Sequence, residues 1–442
     1  MSKSYRSSGP RASRIFSQVF DLTGATALGG LNSLARFVRI LEIDRKLAKR
    51  FRAVKAPWCR WRLDRVLRVF LDASFAGIER LYHFEDLETE PLLCLQHGVD
   101  RLPDLKTLYR DLRRFEEPAL LGSLHGLLQE VVSQALDRQK RVVLEVDSTV
   151  ETLYGSQEGA EVGPNPHKPG RPSYHPLLAR DRISDLIVHH VLRPGSAGTA
   201  SDIKSFLHQT LDLAQGEGNR REVLARLDSG FESEEALGVL ERRGVGYVVK
   251  MRATRDVAFH AFDTPARGWK RVEFEGNGEI QVTSFPWRRS SAWSQARRVV
   301  VLRKRERDQL QGHLFDAAGW SYSLFVTDRD WPAEEVARFY DKRADVERTI
   351  CEIKNDLPID HVPTASFGAN AADLALKILA RNLLVLYRDR GLGLKVRERV
   401  MTLRRRYLWV AGRLVRRAGR WLLRLAEGGR LQRVLGTAPL RC

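Results

Sequence analysis

Two aspartates and a glutamate are the residues of this chain best placed to do chemistry. Asp147 and Asp228 each follow a run of strand-forming residues, Val142-Val143-Leu144-Glu145-Val146 and Val223-Leu224-Ala225-Arg226-Leu227. The carboxyl ends of strands are where α/β sheets keep their sites, although Asp also ends strands simply because it suits turns. Glu347 belongs to a second pattern, in which Tyr340, Arg343, Glu347 and Lys354 lie at offsets 0, 3, 7 and 14. At about 100° per residue the four fall within roughly 60° of one another, a polar stripe about 21 Å long on one long helix. Phe339, Val346, Ile350, Ile353 and Leu357 form a second stripe roughly 80° away, so the helix packs by one side and carries the polar row along its edge. Alone, that row reads equally well as a solvated face with ordinary charge pairs. Three carboxylates together, two on strands and one on a helix, can hold two Mg²⁺ or Mn²⁺ ions about 3.5–4 Å apart. Such a pair serves phosphodiester cleavage, one ion aiming the attacking water or 3′-hydroxyl and the other stabilising the departing oxygen. Hard oxygen ligands suit these ions, and no thiolate or imidazole set competes. Arg343 and Lys354 would then neutralise phosphates, and Tyr340 would hydrogen-bond another.

The elements that must position these groups follow from the hydrophobic pattern. Residues 1–135 read as mostly helical, with Val66, Leu67, Phe70 and Leu71 on one helical face and Leu105, Leu108, Tyr109 and Leu112 on another. Pro103-Asp104 gives the second a start signal, and its polar side carries Lys106, Arg110, Arg113 and Arg114, either a DNA-binding face or a solvated one. Strands then alternate with helices over 136–254: Val142–Val146, Leu186–Leu192, Val223–Leu227 and Val245–Met251, with helices after Ser201-Asp202 and Ser233. That alternation predicts an α/β sheet with parallel members. Residues 255–320 break the rhythm. Val272 and Phe274, then Ile280 and Val282, alternate around Gly276-Asn277-Gly278, a hairpin signature, and Arg298–Leu302 adds another strand, so an antiparallel insertion is expected. The core resumes over 321–390 with Tyr322–Val326 and the long helix from Pro332.

Composition bounds the partners. The chain of 442 residues carries +19 from 74 Lys and Arg against 55 Asp and Glu, which favours a polyanion. Residues 388–442 alone hold sixteen Lys or Arg and three acids. Within the 391–442 region Leu408, Ala411, Leu414, Val415, Ala418, Leu422 and Leu425 keep helical spacing, predicting a basic amphipathic helix or pair of helices for DNA contact, protomer association or lipid adhesion. The four cysteines lie far apart, without a zinc or disulfide pattern. No apolar run is long enough to span a membrane, and a cytoplasmic location is expected.

The order Asp147, Asp228, Glu347, the Asp-Ser-Gly-Phe run at 228–231 and Tyr-x₂-Arg-x₃-Glu-x₆-Lys at 340–354 resemble the DDE transposases of bacterial insertion sequences. Arg193-Pro194-Gly195, the His167–Pro176 segment and Asn370-Ala371-Ala372 are similar to the thirteen-eighty group. The resemblance covers about residues 140–390. It implies an RNase H-like core with a β-rich insertion between the second Asp and the Glu, flanked by the helical N-terminal domain and the basic helical C-terminus. It also implies a homodimer that pairs two terminal inverted repeats, cuts them and joins the freed 3′-hydroxyls to target DNA. A tryptophan of the insertion, Trp287 or Trp293, would stack on a base flipped out near the cut, or else pack on its own hairpin. Lys168 and Arg171, in a Pro- and Gly-rich loop, are candidate DNA contacts or else merely solvated loop cations, whereas His189 and His190 read as packed residues. A nuclease of the same fold without strand transfer and an inactive, transposase-derived DNA-binding protein are the competing readings.

Overall fold

The computed structural model describes residues 19, 21–198, 200–273, 279–289, 292–305 and 320–435. A short strand β1 (Ala25–Thr26) precedes six helices: α1 (Leu31–Ile40), α2 (Ile43–Phe51), α3 (Leu63–Ala76), α4 (Pro91–His97), α5 (Leu105–Leu112) and α6 (Pro118–Leu136). The Asp104 carboxylate accepts the Thr107 N–H at 2.6 Å, starting α5 where the Pro-Asp pair places it. α6 begins on Pro118, whose missing N–H is harmless in a first turn. Leu34, Phe37, Leu67, Leu71 and Leu128 share one continuous core with the sheet and with the helix α12 described below.

The strands that follow are β2 (Arg141–Ser148), the short β3 (Glu151–Thr152), β4 (Glu161–Val162) and β5 (Pro172–Tyr174), then β6 (Leu177–Asp181), β7 (Ile187–Val191), β8 (Glu222–Leu227) and β9 (Gly246–Met251). Helix α7 (Ile203–Gln215) precedes β8, and α8 (Glu234–Arg242) separates β8 from β9. Ser233 caps α8 by accepting from Ala236 N–H. Asp202 does not cap α7 with its side chain; its backbone is left-handed, φ 58°, at the entry. After β9 come α9 (Arg255–Phe262), β10 (Lys270–Val272), β11 (Glu279–Trp287), β12 (Arg297–Arg305) and β13 (Ser321–Thr327).

One nine-stranded sheet runs β10-β11-β12-β13-β9-β8-β2-β6-β7. β2, β8 and β9 are parallel to one another, while β6 runs antiparallel to both of its neighbours, β2 and β7. The architecture is therefore mixed α/β, as the pattern predicts. The three parallel strands are buried nearly end to end, which explains their continuous apolar runs. The expected insertion is antiparallel, and Val272 faces Ile280 across its first hairpin; the Gly276-Asn277-Gly278 turn itself lies outside the described residues. It differs from expectation in extending the main sheet, because β13 pairs with β9. Both faces are covered there: Val299 and Val301 enter the main core, while Val300 joins Val248, Val282, Phe325 and Val336 in a second.

Two further expectations are corrected. The long helix is two, α10 (Ala333–Asp341) and α11 (Ala344–Asp356). Arg226, itself buried, donates to the Phe339 and Lys342 carbonyls and so satisfies the end of α10, where the chain turns. After the long α12 (Phe367–Leu386) and a short α13 (Val400–Leu403), the basic tail is not an amphipathic helix. It forms a hairpin, β14 (Gly412–Arg417) and β15 (Arg420–Leu425), ahead of the short α14 (Arg430–Leu435). Ala418 and Gly419 both take positive φ, 48° and 76°, which is the two-residue turn matching strand twist. β1 adds to the edge of β14. Among the described residues no helix is long and apolar enough to cross a membrane.

Candidate active site

Register sets the two aspartates side by side. Val146 on β2 stands opposite Leu227 on β8, so Asp147 and Asp228 are the next step on adjacent parallel strands. Two residues earlier on the same face lie Glu145 and Arg226. Glu145 accepts from Arg226 and, at 2.6 Å, from Arg180 of β6, and all three side chains are at most 1% exposed. This buried triad ties three strands together beneath the aspartates, while Arg226 also fixes the turn between α10 and α11. Charges inside otherwise apolar strands, Leu-Glu-Val and Ala-Arg-Leu, were the signal for it, and strand patterning alone passes over them.

The α10–α11 turn lowers three signature residues onto the strand ends. Tyr340 Oη donates to Asp228 Oδ1 at 3.3 Å. Arg343, buried at the start of α11, places Nη2 3.1 Å from Asp147 Oδ2 and Nη1 3.5 Å from Glu347 Oε1. Lys354 Nζ donates to the Val150 carbonyl at 2.9 Å, just past the end of β2. The Asp147 carboxylate also accepts the Ser148 N–H at 2.9 Å.

Electrostatics mark the same spot. Burial pushes the Asp147 carboxyl up to about 6; the Arg343 guanidinium and the Ser148 N–H oppose this, and Asp228 and Glu347 add to it. Burial likewise raises the Tyr340 phenol, with Asp228 reinforcing and Arg343 opposing. A phenol held protonated is a hydrogen-bond donor, as its contact with Asp228 requires. The Arg343 guanidinium is held more firmly charged than usual: burial acts against it, but Asp147 foremost outweighs burial. The site is thus a crowd of carboxylates relieved by one arginine. Glu347 has 69% of its side chain exposed. Among the described residues no three His, Cys, Asp or Glu side chains are gathered closely enough to chelate an ion as they stand.

The other expected contacts divide. Lys168 Nζ sits 4.8 Å and Arg171 Cζ 6.0 Å from the ring centre of Tyr154, itself 69% exposed. Lys168, Tyr154, His167 and Lys354 line one groove of about 630 Å³ that opens beside Val150. The structure therefore brings Lys168 to the site and adds Tyr154, an aromatic that its loop position concealed. Trp293 is a correction: it is 2% exposed, flanked by Arg289 and Arg297, and packs in the main core, so neither face is open to a base. Trp287 is half-buried against His260 and Phe285. His189 and His190 are buried, as expected.

The segments around the motif act as braces. His175 Nε2 lies 3.1 Å from Ser148 Oγ, and Arg193 Nε donates to the His175 carbonyl at 3.0 Å. Gly195 is required by space: a Cβ there would lie 2.1 Å from the Glu161 carbonyl oxygen and 2.2 Å from that of Ser173. Asn370 on α12 holds Tyr174 Oη at 3.2 Å.

The family model described as transposase DDE domain group 1 matches residues 18–441. A search of curated proteins gives no match. Among solved structures, a cryo-EM structure of the piggyBac transposase synaptic complex with hairpin DNA aligns over 85% of this chain and 78% of that one, at 11% identity and a TM-score of 0.49. A crystal structure of the Mos1 mariner paired end complex with Mn aligns over 44% of this chain and 60% of that one, at 14% identity and a TM-score of 0.18.

Proposed function

The chain belongs to the transposases with a group 1 DDE domain, and from that premise we propose that Asp147, Asp228 and Glu347 are its catalytic carboxylates. In this reading the protein binds the terminal inverted repeats of an insertion sequence of the thirteen-eighty group, cuts the DNA at the element ends and joins the 3′-hydroxyls to target DNA. The observation that carries it is the convergence of Tyr340 on Asp228 and of Arg343 on both Asp147 and Glu347. Five side chains drawn from residues 147 to 347 would not meet at two strand ends through packing needs alone.

The donor set fits divalent cations. Asp147 and Asp228 end adjacent strands, Arg343 links Asp147 to Glu347, and the desolvated Asp147, pushed up to about 6, would gain from a nearby positive charge. Bound there, two Mg²⁺ or Mn²⁺ ions would supply activation of the attacking oxygen and charge stabilisation of the departing one. The protein's own residues do the rest. Tyr340 orients Asp228 through its hydroxyl, and Arg343 holds Asp147 and Glu347 in register until the site is loaded. Lys354 and Lys168 line the groove at the end of β2, where they neutralise phosphates beside the scissile bond.

The RNase H-like reading of the core is supported by the order β7-β6-β2-β8-β9, with β6 antiparallel to its neighbours. The helical N-terminal region, with Lys106 and Arg110 outward, is assigned to end binding, and a homodimer to the pairing of two ends. The test is strand transfer. A pre-cut terminal repeat with a free 3′-hydroxyl, incubated with supercoiled plasmid and Mg²⁺, should yield nicked and linearised product covalently carrying the oligonucleotide. Cutting without joining would reduce the proposal to a nuclease, and binding without either would leave a DNA-binding protein.

A further inference from the structure

The C-terminal hairpin presents a face that the site above does not use. β14 and β15 pair Arg413 with Arg424, Val415 with Leu422 and Arg417 with Arg420. Strand alternation puts these six side chains on one side. The opposite side carries Leu414 and Leu423, which pack on the main core, Leu425, close to Gly29, and, toward the turn, the exposed Arg416 and Trp421. The arginine side therefore faces outward; all four arginines are exposed, and Leu422 is 47% exposed between them.

Like charges directly opposite on antiparallel strands destabilise the ladder, and this hairpin holds two such pairs. Among the described residues none of the four arginines stands in an ion pair; Arg413 donates only to the Thr23 carbonyl, at 3.1 Å. The hairpin is nonetheless firmly seated. β1 pairs with its edge, Gly29 N–H donates to the Val410 carbonyl at 2.8 Å, and the Trp409 indole N–H donates to the Ala76 carbonyl at 2.9 Å. A rigidly mounted face that repels itself is complementary to a polyanion.

We propose that this outward face binds the phosphate backbone of duplex DNA, each arginine pair engaging one phosphate region. The pairs are four residues apart along the strand, about 14 Å, enough to reach two separate phosphates of one duplex. Val415 and Leu422 fill the middle and offer nothing to the hydrogen-bonding edges of bases, so the binding is independent of sequence. The inference rests on the DNA-handling role proposed above and adds a surface to it.

The experiment is salt-dependent binding of full-length wild type and R417Q/R420Q to a random-sequence duplex and to the terminal repeat. Two lost phosphate contacts should reduce the slope of log affinity against log salt by about 1.8 and weaken binding roughly 30-fold at 0.15 M salt, alike for both duplexes. The melting temperature should not fall, because a like-charge pair has been relieved; that separates a binding face from a structural one. R413Q/R424Q repeats the test at the other pair should the first variant fold poorly. An unchanged slope, a loss confined to the terminal repeat, or unchanged DNA binding with lost binding to phosphatidylglycerol vesicles would each overturn the proposal. Cleavage by wild type is scored separately: a protein that shows this salt behaviour and never cuts fails the catalytic reading and leaves the face standing.

Discussion

Glu151 offers the sharpest test of the electrostatics around the site. It lies in β3, just past the end of β2 that carries Asp147, is 2% exposed, and its Oε1 has no hydrogen-bond partner. Burial pushes its carboxyl from 4.5 up to about 8; Lys377 and Lys354 pull it down, and Asp360 and Asp373 push it further up. The unfolded chain ionises near 4.5 and the folded chain near 8, so ionisation works against folding. Its contribution to stability is complete below pH 4.5 and is lost as the pH rises toward 8. At pH 7 the interval from 4.5 amounts to about 3 kcal/mol at 1.36 kcal/mol per unit. Glutamine has nearly the same shape and never ionises. The Glu151→Gln protein should therefore be more stable than wild type by about 2–3 kcal/mol at pH 7, allowing for an imperfectly paired amide. At pH 5 the gain should shrink below about 1 kcal/mol. Urea unfolding followed by tryptophan fluorescence at the two pH values measures both numbers. A variant less stable at pH 7, or one shifted equally at both pH values, would refute this account of Glu151.

Three further outcomes follow from particular contacts. Glu145→Gln leaves Arg180 and Arg226 buried without their shared carboxylate, and should destabilise by about 3–5 kcal/mol; a change under about 1 kcal/mol in the same unfolding assay would deny that the triad braces the strands. Trp293→Ala should reduce stability by about 3–5 kcal/mol through lost packing, whereas DNA affinity of the folded protein should hold, which a binding titration at low temperature would check. Arg343→Gln removes the strongest influence holding the Asp147 carboxyl down, so the acid limb of cleavage should move to higher pH while its maximum falls; an acid limb left in place would separate Arg343 from Asp147.

Much of the site was legible because chemistry leaves residues where packing would not. Asp147 and Asp228 followed apolar runs, and those runs are the adjacent parallel strands β2 and β8. The Tyr340–Lys354 spacing grouped residues that do reach the two strand ends, for a partly wrong reason. A single helix was expected, but Arg226 ends α10 by binding its carbonyls, and no local pattern encodes a partner more than a hundred residues away. The tail failed similarly. Apolar residues on both faces of β14 and β15 satisfy helical and strand periods alike, and the deciding neighbour, β1, lies at Ala25–Thr26. Trp293 shows a third limit: exposure of an aromatic in a hairpin depends on what packs over it, here Arg289 and Arg297.

The central claim is that Asp147, Asp228 and Glu347 together cut DNA with the help of divalent ions. Glu347, with 69% of its side chain in solvent, can be changed to glutamine with little consequence for folding, which makes it the cleanest of the three to alter. The measurement is cleavage of an end-labelled terminal-repeat duplex in Mg²⁺ or Mn²⁺, wild type beside Glu347→Gln, with binding measured in parallel. Wild type should cut at the element end, and the variant should bind equally and not cut. Equal cutting by both proteins would remove Glu347 from the reaction and contradict the account.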